Sequence, residues 1–160
     1  GLKIRVMNHQ MSVDMVNEMG GAATPMAYGE LYTALQQGVV DGAENNPPSF
    51  VTSGHYEVCK YYSLDEHSSI PDVLVIGTRY WNKLSEEEQK WMRNAAKISA
   101  EAQKEFWRKN VEECMVKLKE ANVQIFHPEK SLFATKTKTV LDEFSKDPKM
   151  KKIIEEIQAY

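Results

Sequence analysis

The feature that most restricts how this chain can fold is a helical pattern that begins at Ser85 and continues to Asn122. Ser85 and Glu88 have the spacing of a capping box, and neither proline nor glycine interrupts the pattern that follows. About 36 helical residues at about 1.5 Å each form a rod about 54 Å long. A compact domain of this chain's 160 residues is only about 40 Å across. The helix must therefore kink or project from the domain.

The apolar residues of this helix change sides midway, near Phe106. Two sets each share one face, about half a turn apart: Trp91, Ala95, Ile98 and Ala102, and then Trp107, Val111, Cys114, Leu118 and Ala121. We interpret the change as a helix that packs on one body and then on a different one. The alternatives are one helix wrapped by a single domain, or two helices with a break near Trp107.

Short strands and helices alternate over the rest of the chain, which indicates an α/β fold with a mainly parallel sheet. Strands are expected in "GLKIRV", after Gly38 in "VVDG", in "VQIFH" and, as a buried strand, in "PDVLVIGT". Helices are expected over residues 13–19 with Ser12 as cap, in "YGELYTALQQG", over residues 48–64 and in two segments after residue 130.

Composition and motifs exclude several functions. The net charge of −3 provides no basic face for nucleic acid, and the longest aliphatic run, residues 73–76, is too short to span a membrane. Two cysteines, Cys59 and Cys114, form one disulfide or none. The four histidines lack metal-ligand spacing, and no phosphate-binding loop or nucleophile elbow occurs. We therefore expect no cofactor and no metal site.

Polar residues stand where the expected strands end. Arg5 and Asn8 close the first strand, Tyr28 opens a helix, and Glu44 and Asn45 follow "VVDG". Ligands of open α/β sheets bind at the carboxyl ends of the strands, so this set predicts a binding site. Each member alone also has a simpler interpretation. Arg5 could lie beside Lys3 on a solvated face, and the asparagines could belong to a turn.

Four segments resemble the DctP-type solute receptors of tripartite ATP-independent periplasmic (TRAP) transporters: "GLKIRV", "ATPMAYGELYTALQQGVVDGAENNP", "HYEVCKYYSLDEH" and "YWNKLSEEEQK". Those receptors have two lobes and about twice this length. The resemblance implies the C-terminal half of such a type II-like periplasmic binding protein, with one long helix that spans both lobes. It assigns residues 1–70 to the ligand-binding core of lobe II, 71–107 to the missing lobe I, and 108–160 to lobe II and its C-terminal helices.

The resemblance also implies roles for individual residues. Arg5 matches the family's arginine, which pairs with the substrate carboxylate; a guanidinium suits this role because its rigid fork of donors meets both carboxylate oxygens, which Lys3 could not do. The other ligand-binding residues that it implies are Asn8, Tyr28, Glu44, Asn45 and His67. Glu44, Asn8 and His67 would form one polar network, although His67 could instead be structural.

The expected function is capture of a small organic acid in the periplasm and its delivery to the TRAP membrane subunits. The doubled asparagine of "ENNPPSF" resembles the branch of the family that binds sugar acids such as hexuronates, and the resemblance implies a sugar acid or a dicarboxylate as ligand. A half-site predicts millimolar binding at best, and unpartnered apolar segments predict a homodimer with exchanged elements. The alternatives are a pure interaction module, or a hydrolase-like enzyme that uses Cys59 or the pair Glu44 and His67.

Overall fold

Two separate parallel sheets organise the chain in the computed structural model, which describes residues 1–159. The first sheet has the order β2-β1-β3, with β1 at Lys3–Val6, β2 at Ala22–Pro25 and β3 at Gly42–Ala43. The second pairs β4, Tyr61–Ser63, with β5, Gln124–Phe126. Both sheets are parallel, as the alternation of strands and helices predicts.

The first sheet is built from two strand–helix–strand steps. Helix α1, Gln10–Glu18, connects β1 to β2, and α2, Leu31–Gln36, connects β2 to β3 after a 3₁₀ turn at Tyr28–Glu30. The helix start expected at residue 13 is wrong, because α1 begins after His9 rather than after Ser12. The strand expected at the two valines after Gly38 is also shifted, since β3 contains only Gly42–Ala43. Val40 instead packs in a small core with Leu31 and Ala34.

The segment expected to be one helix over residues 48–64 contains three elements. Helix α3, Pro47–Thr52, is capped by Asn46, whose side-chain oxygen accepts a 2.9 Å hydrogen bond from Ser49 N. Gly54 then adopts the left-handed conformation (φ +69°) that ends the helix. A 3₁₀ turn at His55–Glu57 leads into β4. The helical prediction is therefore confirmed up to Thr52 and wrong after Gly54, because Tyr61–Ser63 pairs with β5 as a strand instead.

The apolar run before α4, Thr78–Trp81, does not form the buried strand expected from the sequence. Val75 is 79% exposed, and the neighbouring Val73 and Leu74 are exposed to a similar extent. A strand needs a neighbouring edge for its backbone hydrogen bonds. No strand among residues 1–159 pairs with this run.

Helix α5, Glu86–Glu120, is one continuous helix of 35 residues, so the alternative of two helices with a break near Trp107 is wrong. The predicted capping box is confirmed: Ser85 Oγ accepts from Glu88 N, and Glu88 Oε2 accepts from Ser85 N. The two halves differ in burial. Cys114 and Leu118 are buried against α3 and Val123, whereas Trp91 and Ile98 are 60% and 71% exposed. Only the second half packs on this body.

Two further helices complete the described part of the chain. Helix α6, Lys130–Phe144, packs against α1, and α7, Pro148–Gln158, contacts α6. In residues 1–159, none of the helices combines the length and the apolar character needed to span a bilayer. Cys59 and Cys114 are both free thiols.

Candidate functional site

Arg5 is buried in the central strand of the first sheet. It lies opposite Thr24 of β2 and Ala43 of β3, and only 4% of its surface is exposed. The alternative of a solvated arginine beside Lys3 is therefore wrong. A buried guanidinium costs free energy unless its donors find partners, so its hydrogen bonds indicate its role.

The guanidinium of Arg5 is fixed along one edge and open along the other. Nε donates a 3.0 Å hydrogen bond to the carbonyl oxygen of Met26, and the central carbon lies 5.6 Å from the centre of the Tyr28 ring. Within residues 1–159, Nη1 and Nη2 donate no hydrogen bond to a protein atom. Neither of them is a fully enclosed atom. The open edge can therefore receive the two oxygens of a carboxylate.

Tyr28 is held in place by contacts on two sides. Its hydroxyl lies 2.6 Å from Ser53 Oγ, and its ring meets the ring of His55 edge-on at 5.6 Å. His55 is buried, and burial, together with the charge of Arg5, lowers its pKa. A neutral His55 therefore supports Tyr28 without adding a second positive charge beside Arg5.

Three ionisable side chains meet where β3 and β4 end. His67 Nδ1 lies 2.8 Å from Asp65 Oδ1, and His67 Nε2 lies 4.0 Å from Glu44 Oε2. The hydrogen bond that His67 donates to Asp65 raises the pKa of His67, against the opposing effect of burial. Burial raises the pKa of Glu44, and the charges of His67 and Arg5 oppose this. Although burial acts to raise the pKa of Asp65, the hydrogen bond and charge of His67 together lower it.

Asn45 is fixed through its backbone and its side-chain oxygen. The Tyr62 hydroxyl donates a 2.9 Å hydrogen bond to the Asn45 carbonyl, and Asn45 Oδ1 accepts from Asn46 N at 2.9 Å. Burial, and then the charge of Asp65, raise the pKa of Tyr62 to about 12. The amide nitrogen of Asn45 stays free of hydrogen bonds to residues 1–159, so it can donate to a ligand.

Asn8 stands apart from the other residues implied by the resemblance. Its side chain is exposed, and within the described residues it makes no hydrogen bond with Glu44 or His67. The structure thus brings Glu44 and His67 together without Asn8. Sequence reasoning missed Asp65 and the buried His55. The signal for Asp65 was available, since it stands two residues before His67 in "LDEH".

The thiol that suggested an enzyme is not arranged as a nucleophile. Cys59 follows the 3₁₀ turn, and its backbone N–H donates to the His55 carbonyl at 2.9 Å. Among the described residues, the Cys59 thiol makes no hydrogen bond with the His55 ring. Burial raises the pKa of the Cys59 thiol, which disfavours the thiolate. Among residues 1–159, no group of three or more potential ligands is placed to hold a metal ion.

A cavity of about 340 Å³ lies between the edges of the two sheets. Its walls include Gly42 and Ala43 of β3 and Tyr61 and Tyr62 of β4. Arg5 does not line this cavity. Asn45 and His55 do line it, so the cavity adjoins the residues that surround Arg5.

A guanidinium with one open edge at the ends of parallel strands, on an α/β body crossed by a projecting helix, defines part of a solute-binding protein. The chain matches the DctP family, "Bacterial extracellular solute-binding protein, family 7", over residues 1–147. It therefore belongs to that family. The resemblance drawn from the sequence, the fold class and the periplasmic location are confirmed.

Relatives with this fold show how much of a receptor is present. A solute-binding protein of Chromohalobacter salexigens is 44% identical over 160 residues, which are 99% of this chain and 48% of that protein. A crystal structure of a TRAP periplasmic solute-binding protein from that organism, with bound D-glucuronate, matches 99% of this chain and 54% of its own, at 44% identity and a TM-score of 0.94. One from Xanthobacter autotrophicus, with bound β-D-galacturonate, matches at 40% identity and a TM-score of 0.92, over 99% and 53% of the two chains. The chain spans about half the length of these relatives.

Proposed function

We propose that this chain is the C-terminal half of a TRAP-transporter receptor that binds a hexuronate through Arg5. The observation that carries the proposal is the buried guanidinium, held at Nε by Met26 and open at Nη1 and Nη2. A carboxylate is the group that matches this pair of parallel donors. The receptor would capture its ligand in the periplasm without chemical turnover and deliver it to the transporter's membrane subunits.

The ligand class follows from the donors around Arg5 and from the related receptors. D-glucuronate and β-D-galacturonate are bound in the two solved relatives described above. Such acids carry several hydroxyls, which need partners in the site. The amide nitrogen of Asn45, which makes no hydrogen bond to residues 1–159, is a candidate partner. Asn46 uses its side-chain oxygen to cap α3, which leaves its amide nitrogen to donate.

The remaining implied residues take supporting roles in this proposal. Glu44 and His67 form the polar wall behind the carboxylate, and Asn8 reaches the ligand from the end of β1. Exposure of Asn8 is compatible with that role in an open half-site, because a second lobe would close over it. A dicarboxylate remains the second ligand class to be tested.

The exposed apolar surface supports the division into lobes. Residues 1–70 would form the core of lobe II, 71–107 would belong to lobe I, and 108–160 would return to lobe II. The exposure of Ile98, compared with the burial of Leu118 on the same helix, agrees with this division. In the isolated chain we propose that a second copy covers the exposed half of α5, which yields a homodimer.

Calorimetry tests the function. The intact receptor should bind D-glucuronate or D-galacturonate with micromolar affinity, and the 160-residue chain should bind only at millimolar concentration. Micromolar affinity needs about 8 kcal/mol, and a few charge-assisted hydrogen bonds in an open site supply less than this after immobilisation costs. Low-micromolar binding by the chain alone would contradict the half-site. Saturation by succinate but not by either hexuronate would contradict the ligand class.

A further inference from the structure

Asp65 is a charged residue of the site for which neither the sequence pattern nor the family resemblance supplies a role. It lies just after β4, and its side chain is 22% exposed. Its Oδ1 lies 2.8 Å from His67 Nδ1. Because a carboxylate can only accept, Nδ1 must carry the proton of this hydrogen bond. Asp65 therefore selects the tautomer of neutral His67 that carries its proton on Nδ1.

The other nitrogen of His67 is placed in an unusual environment. Nε2 is fully buried and has no hydrogen-bond partner in residues 1–159. The nearest carboxylate oxygen is Oε2 of Glu44, at 4.0 Å. With Nδ1 already protonated, a neutral His67 would turn a lone pair toward this carboxylate, whereas a charged His67 turns an N–H toward it. The geometry favours the charged form.

Glu44 connects this histidine to the arginine. His67 Nε2 lies 4.0 Å from the Glu44 carboxylate, whereas no nitrogen of Arg5 lies within 4.0 Å of it. The charges of both cations act against the rise that burial causes in the pKa of Glu44. The other charged groups near His67 are accounted for: Glu66 pairs with Lys130 of α6, and Asp65 is bonded to His67 itself. If His67 loses its proton, Arg5 becomes the sole cationic partner for Glu44 among these residues.

We propose that Asp65 is a positioning residue that makes ligand capture depend on protonation, by holding His67 charged so that His67, and not Arg5, neutralises Glu44. This inference rests on the function proposed above. When His67 is charged, the formal charges of the four side chains sum to zero: Arg5, His67, Glu44 and Asp65. A bound carboxylate then brings the total charge to −1. With His67 neutral, the same ligand brings the sum to −2, and Glu44 competes with it for Arg5.

The sign of the pH effect follows from this charge balance. An anionic ligand stabilises the protonated form of His67, so affinity is highest below the pKa of His67 and falls as pH rises through it. With one proton linked to binding, Kd rises by at most about tenfold per pH unit above that point. The hydrogen bond that His67 donates to Asp65 raises the pKa of His67, which moves the loss of affinity to higher pH.

The first experiment observes His67 without any ligand. We would follow the ¹⁵N shifts of the histidine rings in the 160-residue chain against pH, with His67→Gln to assign the signal. The neutral form should carry its proton on Nδ1. Asp65→Asn should lower the pKa of His67 by about one unit, whereas Asp72→Asn, in an exposed part of the same segment, should leave it unchanged. An Nε2–H tautomer, or an equal pKa in Asp65→Asn, would overturn the role of Asp65.

The second experiment measures D-glucuronate affinity of the intact receptor by calorimetry from pH 5 to pH 9. The wild-type receptor should lose affinity as pH rises, Asp65→Asn should lose it about one pH unit earlier, and His67→Gln should give a flat profile. A wild-type profile as flat as that of His67→Gln would overturn the coupling. If D-glucuronate fails to bind at every pH while the His67 signal behaves as expected, the proposed ligand and the coupling fail together, and the positioning role of Asp65 is retained.

Discussion

Nε of Arg5 donates a 3.0 Å hydrogen bond to the backbone carbonyl of Met26, the residue that follows β2. This bond fixes the rotation of the guanidinium, because it joins a side chain of the central strand to the backbone at the end of its neighbour. The edge formed by Nη1 and Nη2 is thereby oriented before any ligand arrives. Preorganisation of this kind reduces the entropy that binding costs.

The oriented edge of Arg5 predicts that lysine cannot replace it. Arg5→Lys keeps the charge but loses the paired donors, and hydrogen bonds to charged groups contribute about 1.5–3 kcal/mol each. The affinity of the intact receptor for D-glucuronate should therefore fall about 10- to 100-fold, as measured by calorimetry. Lys3→Ala, at an exposed position on the same strand, should bind as the wild type does. Equal affinity of Arg5→Lys and the wild type would exclude the paired contact.

We expect Tyr28 to contribute to ligand binding through its ring rather than its hydroxyl. The ring lies beside the guanidinium of Arg5, and cation–π contacts contribute about 0.5–2 kcal/mol. Tyr28→Leu should weaken D-glucuronate binding by a comparable free energy, while Tyr28→Phe, which loses only the bond to Ser53, should change it little. Tyr80→Leu, at an exposed tyrosine of α4, serves as the control. If Tyr28→Phe and Tyr28→Leu are equally impaired, the hydroxyl is the important group.

Some of this arrangement could be predicted from the sequence and some could not. The capping box at Ser85 and the continuous helix after it depend on local signals, and the structure has both. The burial of Arg5 could not be derived from strand periodicity, because "LKIRV" places Arg5 on the same face as Lys3. In the structure Arg5 is buried and Lys3 is exposed, since the central position in the sheet and the contacts with Met26 and Tyr28 determine burial.

The segments that sequence reasoning assigned wrongly depend on distant partners. Tyr61–Ser63 forms a strand only because Gln124–Phe126, far along the chain, lies beside it. The run from Val73 onward has strong strand propensity but no edge to pair with in residues 1–159. Local pattern cannot distinguish these two cases. The same limit applies to the site: the sequence places Asp65 two residues before His67, but only the structure shows that the two side chains lie 2.8 Å apart.

The two halves of α5 should respond differently to the same kind of truncation. Leu118 is fully buried with Cys114 and Phe50, and leucine-to-alanine changes at such sites cost about 2–5 kcal/mol of unfolding free energy. Ile98→Ala, on the exposed half of the same helix, should change the unfolding free energy of the monomer, reached by dilution, by no more than about 0.5 kcal/mol. The unfolding free energies of the two variants can be compared by urea titration with circular dichroism as the signal. Equal destabilisation would mean that both halves pack on the same body.

Tyr62 should make the folded chain sensitive to alkaline pH. Its pKa is raised to about 12 from the ordinary value of 10.0, because burial disfavours the phenolate. Between these values the unfolded chain releases the phenolic proton while the folded chain keeps it, so the folded state loses stability as pH rises from 10 to 12.

Urea midpoints between pH 9 and pH 11 measure this effect. Tyr62→Phe should weaken the dependence on pH, and at neutral pH it should cost about 0.5–1.5 kcal/mol because the Asn45 carbonyl loses its donor. Tyr61, the exposed neighbour, provides the control: Tyr61→Phe should keep the wild-type dependence of the urea midpoint on pH. If the urea midpoint depends on pH equally in the wild type, Tyr62→Phe and Tyr61→Phe, the pKa of Tyr62 is not raised by folding.

The exposed half of α5 leads to the last prediction, which concerns self-association. Trp91 and Ile98 lie on the face that the sequence pattern identifies as apolar, and both are exposed in the described chain. Apolar surface of this kind favours burial against a second copy. Light scattering of the 160-residue chain at tens of micromolar should give the mass of a dimer.

Two glutamate variants test which face of α5 holds the dimer together. Ile98→Glu should give a monomer, because dimerisation would bury an unpaired carboxylate. Val116→Glu places the same charge at an exposed apolar position on the other half of the helix and should remain dimeric. A wild-type monomer, or equal dissociation by both glutamates, would show that this face does not hold two copies together.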